Sequence, residues 1–412
     1  MPGPALIDAA TRRVSLDPAD PAFFHDPYAA FEAIRAMAPA FFWEELGMWC
    51  LTGHDAVNAL FRDRRFGREI LHVATREELG WPEPPAHVRP FYEVDNLSMI
   101  AREPPVHTRL RTLVNRAFVS RRIERLRPRI AALADALMDG FEAGRETDLI
   151  AAYATPIPLT LIAELLGVPV EEGPRLLDWS HRMVAMYTPR RDRAVEDAAV
   201  AATQKFAAFL RFYVAERRKA PRDDLISHLI AAESAGDRLS EEELVAGCIQ
   251  LLNAGPEATV HAIGNAVKAI LESRLDPAKL FATEESIAAA VEESLRFDPP
   301  LHFFDRYALE EVEYAGIRFR KGEKIGLILA AANRDPSRYR DPDKFDPSRP
   351  LLPHIAFGAG IHFCVGAPLA RLELQVALPI LFRRLPGLRL AAPPRYRNSW
   401  HFHGLEALQA AW

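Results

Sequence analysis

Between Phe357 and Gly366 the chain reads Phe-Gly-Ala-Gly-Ile-His-Phe-Cys-Val-Gly, directly ahead of an apolar segment from Ala367 to Leu381 that reads as a helix. Gly358, Gly360 and Gly366 let the backbone turn tightly and approach a flat ligand closely. The helix N-terminus then faces the sulfur, so its amide groups and dipole favour a thiolate at Cys364. A buried structural cysteine in a glycine loop is the plainer reading of the same residues, and the rest of the chain has to decide between them.

With 412 residues, 49% of them hydrophobic and 26% charged, the chain can bury a large core, and no compositional break marks a linker. One large compact unit, 1–412, is expected. A formal net charge of -5 without a long basic run argues against nucleic acid as a partner. Cys50, Cys248 and Cys364 are too few and too scattered for a disulfide framework or a Cys-x-x-Cys zinc site, which suits a reducing, cytoplasmic setting. Met1 to Leu16 lacks an apolar run of signal length, and no stretch offers about 18 uninterrupted apolar residues, so no membrane association is expected.

Along the chain, Phe41-Phe42-Trp43 and Met48-Trp49-Cys50 around Gly47 read as a hairpin, followed by a short helix near Asp55 to Phe61. Residues Arg68 to Arg102, with Trp81-Pro82, Pro84-Pro85 and Pro90, show little periodicity and read as a long binding loop or lid. Helical periodicity dominates from Pro105 to Phe297, with breaks near Gly140, Gly167, Thr188-Pro189, Pro221 and Asp276-Pro277. Strand-like runs follow at Ile317 to Phe319 and Lys324 to Leu329, then a proline-rich meander, one more helix and a terminal β-like segment. The expected β-rich parts are about 14–66, 300–330 and 385–412, and the α-rich parts about 105–298 and 364–383.

Ser240 to Leu275 opens on a capping box, Ser240 with Glu243, and exceeds an ordinary globular helix in length. Inside it Pro256 has no N–H and clashes with the preceding turn, so the helix must open locally. Glu293 and Arg296, three apart on one helix face, can form an ion pair. His107 and Arg111, four apart behind Pro104-Pro105, can reach one anionic group.

Taken together, these segments resemble the cytochrome P450 family. The cysteine loop matches that family's F-G-x-G-x-[HR]-x-C-x-G signature at every fixed position, and E-x-x-R, Phe345 to Pro350 and the Pro256 segment lie in the expected order. The resemblance implies a mainly α fold with small β-sheets, triangular, with haem b (iron protoporphyrin IX) between the long central helix and the cysteine loop. It implies that Cys364 is the axial iron ligand and metal site, that Phe357, Gly358 and Gly366 shape the haem loop, and that His107, Arg111, Arg306 and His362 grip propionates, although Glu103 replaces the usual Asp. It implies a structural triad of Glu293, Arg296 and Arg349. The oxygen-binding segment maps to Gly255, Glu257, Ala258 and Thr259, and here the chain departs from the family: Ala258 stands where a threonine is usual, and Thr259 is one residue, about 100° of helix, late. Either ordered water with Glu257 or a substrate hydroxyl must then complete proton delivery.

By position, Gln250, Asn253 and Ala254, with His302, Phe303 and Phe304, Met99 and Phe402, are carried over as substrate-pocket residues, and the polarity of Gln250, Asn253 and His302 points to a substrate bearing oxygen functions. The implied activity is insertion of one atom of O2 into a small organic substrate, with electrons from a separate ferredoxin or similar carrier and its NAD(P)H-dependent reductase, in a protein expected to be monomeric. Arg371, Arg109 and Arg116 are positioned either to steer such a carrier or as ordinary surface charge. Two other readings are a peroxide-driven peroxygenase, motivated by Ala258 although the arginine–proline pair typical of fatty-acid peroxygenases is absent, and a non-catalytic haem binding or sensing protein.

Overall fold

A computed structural model describes residues 6–117, 123–141, 146–188, 191–234, 236–399 and 402–412; the expected break at Pro189 lies outside them. The chain gathers into two compact units, one formed by Met1–Phe66, Leu126–Ile157 and Ala258–Trp412, the other by Gly67–Arg125 and Pro158–Glu257. The helices that carry the argument are α1 (Val106–Ala117), α2 (Gly173–Val184), α3 (Arg193–Lys219), α4 (Glu241–Ala254), α5 (Pro256–Ser273), α6 (Glu284–Phe297) and α7 (Ala367–Arg384). The strands are β1 (Leu6–Asp8), β2 (Arg13–Ser15), β3 (Ala40–Trp43), β4 (Met48–Leu51), β5 (Phe303–Ala308) and β6 (Lys324–Ile328).

In the first unit these six strands run in the order β1-β2-β3-β4-β6-β5 within one sheet. The hairpin read from the sequence is β3–β4, paired antiparallel from Ala40 with Leu51 to Trp43 with Met48. Gly47, at φ +63, supplies the left-handed turn residue. Apolar side chains put β3 into the core: Phe41 and Trp43 are fully buried, and the Trp43 indole donates to the Leu16 carbonyl at 2.8 Å. β6 joins β4 in parallel and β5 antiparallel, which carries Arg306 opposite Ile325. A short strand the helical periodicity concealed, Glu146–Asp148, pairs with Gln409–Ala411 near the C-terminus.

In the second unit α2, α3 and α4 pack on one another. Trp179 of α2 meets Phe206 and Phe209 of α3 at 5.4 and 5.8 Å. Asp192 caps α3 by accepting from the Val195 amide at 2.9 Å, and Arg217, Arg218 and Lys219 crowd its last turn, where cations complement the dipole. The stretch from 68 to 102 is not the plain loop expected. It holds a helix, Arg89–Asp95, because Pro90 falls in a first turn that needs no N–H and the fully buried Phe91 anchors it.

α6 ends on the most heavily bonded charge cluster of the first unit. Glu293, 3% exposed, takes Arg296 in a bidentate pair at 2.7 and 2.8 Å and Arg349 at 3.1 Å, and accepts the Asp346 amide at 2.8 Å. Arg296 spends its other donors on the Asn333 and Pro342 carbonyls, both at 2.9 Å. Every charge here is paired and bonded, the condition under which buried ions are tolerated. Removing the carboxylate leaves two guanidiniums uncompensated. Glu293→Gln is therefore expected to destabilise the fold by about 3–5 kcal/mol, measured as a lowered urea midpoint at unchanged slope.

Candidate functional site

The cysteine loop is closed by its own backbone. The Cys364 amide donates to the Phe357 carbonyl at 3.1 Å, and the Ala367 amide reaches the Cys364 carbonyl at 3.4 Å as α7 begins. Gly358 and Gly360 lie at φ +67 and +71, and a Cβ on Gly360 would collide with the Phe61 carbonyl oxygen. Both glycines are thus required by conformation, and Gly360 by space as well. Cys50 and Cys248 are buried, which pushes the Cys50 thiol up strongly and the Cys248 thiol up to about 12. Cys364 is only partly buried and stands ahead of the helix N-terminus of α7, the setting of the three that lowers a thiol.

Around this loop, Phe357 carries the Arg371 guanidinium 4.6 Å from its ring centroid. Arg371 is bound to Glu292 at 2.6 and 2.9 Å. Burial would raise the Glu292 carboxyl, but Arg371 and His354 outweigh it and hold it at about 2. Arg371 is therefore already paired, as is Arg109, which meets Glu243 and Asp237 in the other unit. His362 ends the turn Gly360–His362 and is half-buried. Arg306 on β5 is 5% exposed, its guanidinium 5.0 Å above the Phe61 ring and donating to the Asp305 carbonyl at 2.7 Å. In the second unit α1 starts with the His107 amide on the Glu103 carbonyl at 3.0 Å. His107 is buried and Arg111, one turn on, half-buried. Glu103 is held inside by the Arg68 amide at 2.7 Å.

The long helical segment is two helices. Ser240 and Glu243 form the expected capping box, at 2.9 and 3.2 Å, α4 ends at Ala254, and α5 starts at Pro256. Leu251, Leu252, Glu257 and Thr259 are buried, yet Ala254 and Gly255 are exposed and Ala258 half-exposed. The Thr259 hydroxyl is engaged elsewhere. It hydrogen-bonds the Glu373 carboxyl on α7, which burial pushes up to about 8 against that bond. Glu257 has its Oε1 3.5 Å from Nε2 of His181 on α2, a side chain 39% exposed.

Of the residues carried over as pocket, Gln250 accepts the Ile100 amide at 3.3 Å beside the buried Met99. The Asn253 amide nitrogen lies 3.7 Å from Met183 Sδ, and its buried Oδ1 has no hydrogen-bond partner among the described residues. Phe303 and Phe304 are half-buried on β5, Phe304 edge-on to Phe61 at 6.3 Å. Phe402 is buried, bridged to Leu301 and 5.8 Å from the His261 ring. His302 is buried and stacked on His403 with centroids 4.0 Å apart. Sequence reasoning missed Glu373 and His181. The signal for Glu373 was available, as a lone acid inside the apolar run after Cys364; nothing in the sequence marked His181.

A family model described as "Cytochrome P450" matches residues 285–386. The chain is 34% identical over 398 residues to "Polyketide biosynthesis cytochrome P450 PksS" of Bacillus subtilis (strain 168), covering 94% of this chain and 96% of that one. It is 40% identical over 397 residues to "Vitamin D(3) 25-hydroxylase" of Pseudonocardia autotrophica, covering 94% of each. The solved structure of P450BioI with a hexadec-9Z-enoic acid-ligated acyl carrier protein aligns at TM-score 0.88 and 33% identity, over 95% of this chain and 100% of that one.

Two outcomes follow from the site's geometry. Gly360→Ala is expected to cost more than 2 kcal/mol, because it combines an unfavourable φ with a backbone clash, and to lower the haem content of the purified protein. Glu373 stays protonated in the fold up to about 8, whereas a free glutamate ionises near 4.5. Unfolding between those values releases a proton, so stability falls there as pH rises, by about 1.4 kcal/mol per unit in mid-window. Urea unfolding from pH 5 to 8 is expected to show this slope in the wild type and its loss in Glu373→Gln.

Proposed function

Because the chain belongs to the cytochrome P450 family, and is thereby a haem-thiolate monooxygenase, we propose that Cys364 is its axial ligand and that the cofactor is haem b. Bound haem supplies the activation of O2 and the transfer of one oxygen atom to the substrate. The observation that carries the assignment is Cys364 itself, a partly exposed cysteine on a glycine turn at the head of α7, whereas Cys50 and Cys248 are buried. Arg306, His362, His107 and Arg111 are the cationic or hydrogen-bonding side chains assigned to the propionates.

Proton handling falls to Glu257. Ala258 has no hydroxyl and Thr259 spends its own on Glu373. A proton taken from water by the half-exposed His181 can pass from Nε2 to Glu257 Oε1 across 3.5 Å, with one small rotamer adjustment or a water. The unpaired Asn253 Oδ1 supports a substrate with a hydroxyl or amine donor. A small molecule is the proposed substrate, and a ferredoxin with its NAD(P)H-dependent reductase the electron source, in a cytoplasmic protein. No described helix is long and apolar enough to cross a membrane. The absence of a hydroxyl at Ala258 also favours testing peroxide as an oxygen source; turnover with peroxide alone that exceeds carrier-driven turnover would make the chain a peroxygenase.

The reduced, carbon monoxide-bound spectrum is expected to show the family's red-shifted Soret band, and Cys364→His to abolish it. A folded, haem-loaded wild type without that band overturns the ligand assignment. Glu257→Gln is expected to slow turnover by roughly 100-fold, and His181→Ala to slow it less while raising the solvent isotope effect, measured on any compound that shifts the spin state.

A further inference from the structure

Away from the cysteine loop, the first unit brings together Asp298, just past α6, His302, four residues on, and His403, ahead of the strand Leu405–Ala407. All three are buried, at 4, 5 and 6% exposure. Nε2 of His403 lies 3.4 Å and Nε2 of His302 3.8 Å from Oδ1 of Asp298, and the three ligand atoms all fall within 4.8 Å of one another. Four ligands held tetrahedrally at zinc distances stand about 3.3–3.5 Å apart; the His403–Asp298 separation already matches this, while the set as a whole, within 4.8 Å, has to draw in by up to about an ångström and a half on an ion, the two stacked imidazoles turning toward it.

Hydrogen bonding alone does not satisfy the cluster. Oδ1 already accepts the Tyr28 hydroxyl at 2.6 Å, and Oδ2 the Tyr396 hydroxyl at 2.7 Å. That leaves on Oδ1 one free lone pair for two imidazoles. His302 Nε2, beyond hydrogen-bond reach of Oδ1, has no hydrogen-bond partner among the described residues. The carboxylate has no arginine or lysine bonded to it among those residues; Arg334, the guanidinium stacked on Tyr28, is spent on the Phe297 carbonyl and Asp343. A buried carboxylate that Lys268 reaches only through space, facing two imidazole nitrogens, is a donor set suited to a divalent ion.

We propose that Asp298, His302 and His403 bind a single divalent metal ion of the zinc class, with Tyr28 and Tyr396 orienting the carboxylate. The ion ties the turn after α6 to the loop before Leu405–Ala407. That loop is already joined to the turn by the His403 amide on the Pro300 carbonyl at 2.8 Å, and Asn265 donates to the Asp298 and His403 carbonyls at 3.2 and 3.0 Å. The turn feeds directly into β5, so the metal's role is structural, steadying the strand that carries Arg306. Two imidazoles and a carboxylate in a closed interior favour Zn2+ over the harder Mg2+ or Ca2+.

The test uses full-length, haem-loaded, untagged protein, stripped with a chelator and dialysed against Zn2+, with zinc counted by mass spectrometry. One zinc per chain at micromolar concentration and a raised Tm are expected. His302→Gln and His403→Gln should each weaken binding at least 10-fold, and Tyr28→Phe about 10-fold. No stoichiometric zinc in the wild type, or zinc retained equally by both histidine variants, overturns the site. Should the histidine variants fail to fold, anomalous scattering at the zinc edge from soaked wild-type crystals decides it: a peak within bonding distance of all three side chains supports the site, and none there overturns it.

Discussion

The ion cluster around Glu293 is the constraint from which the rest of the first unit is built. Arg296 does more than neutralise a neighbour on its own helix, because its Nη1 grips the Asn333 carbonyl, and the Asn333 side chain in turn accepts the Ile355 amide at 2.9 Å. Two residues further on, Phe357 opens the cysteine loop. A single buried carboxylate thus fixes, through one guanidinium and one asparagine, where the meander ends and where the loop begins. The buried Arg296 guanidinium would be left uncompensated without it and the partly buried Arg349 would lose its anchor, so the network holds a long irregular segment together as a unit.

That dependence explains which parts of the molecule could be read from residues in a row. The β3–β4 hairpin, the Ser240 capping box, the opening at Pro256 and the Glu293–Arg296 pair are local, set by alternation, by a side chain three residues from its partner, or by a missing N–H. Arg349 joined the pair only through resemblance, since it is 56 positions from Glu293. The helix Arg89–Asp95 was hidden by prolines that look like breakers until one falls in a first turn, and Glu146–Asp148 was hidden because its partner strand lies at the far end of the chain. The cluster of Asp298, His302 and His403 was invisible for the same reason: His302 read as a polar residue near a pocket until the fold stacked it on a histidine about a hundred residues away.

The register step read at Ala258 and Thr259 from the family resemblance has a physical counterpart in this fold. With Ala258 half-exposed and Thr259 buried against Glu373, the hydroxyl of this segment belongs to helix packing. Glu373 is the more telling partner. A carboxyl that stays neutral in the interior at ordinary pH can sit among apolar residues of α7 and lock α5 to it without bringing in a charge.

Pro256 has a quieter effect. In an unbroken helix the Leu252 carbonyl would receive the amide proton of residue 256, and a proline cannot give one. The polarity of the open stretch is therefore written into the main chain, where side-chain substitution cannot erase it. Whatever side chains stand at 257 and 258, residue 256 withholds that donor. The notch between α4 and α5 is thus a property of the backbone, set by one ring and independent of the side chains that flank it.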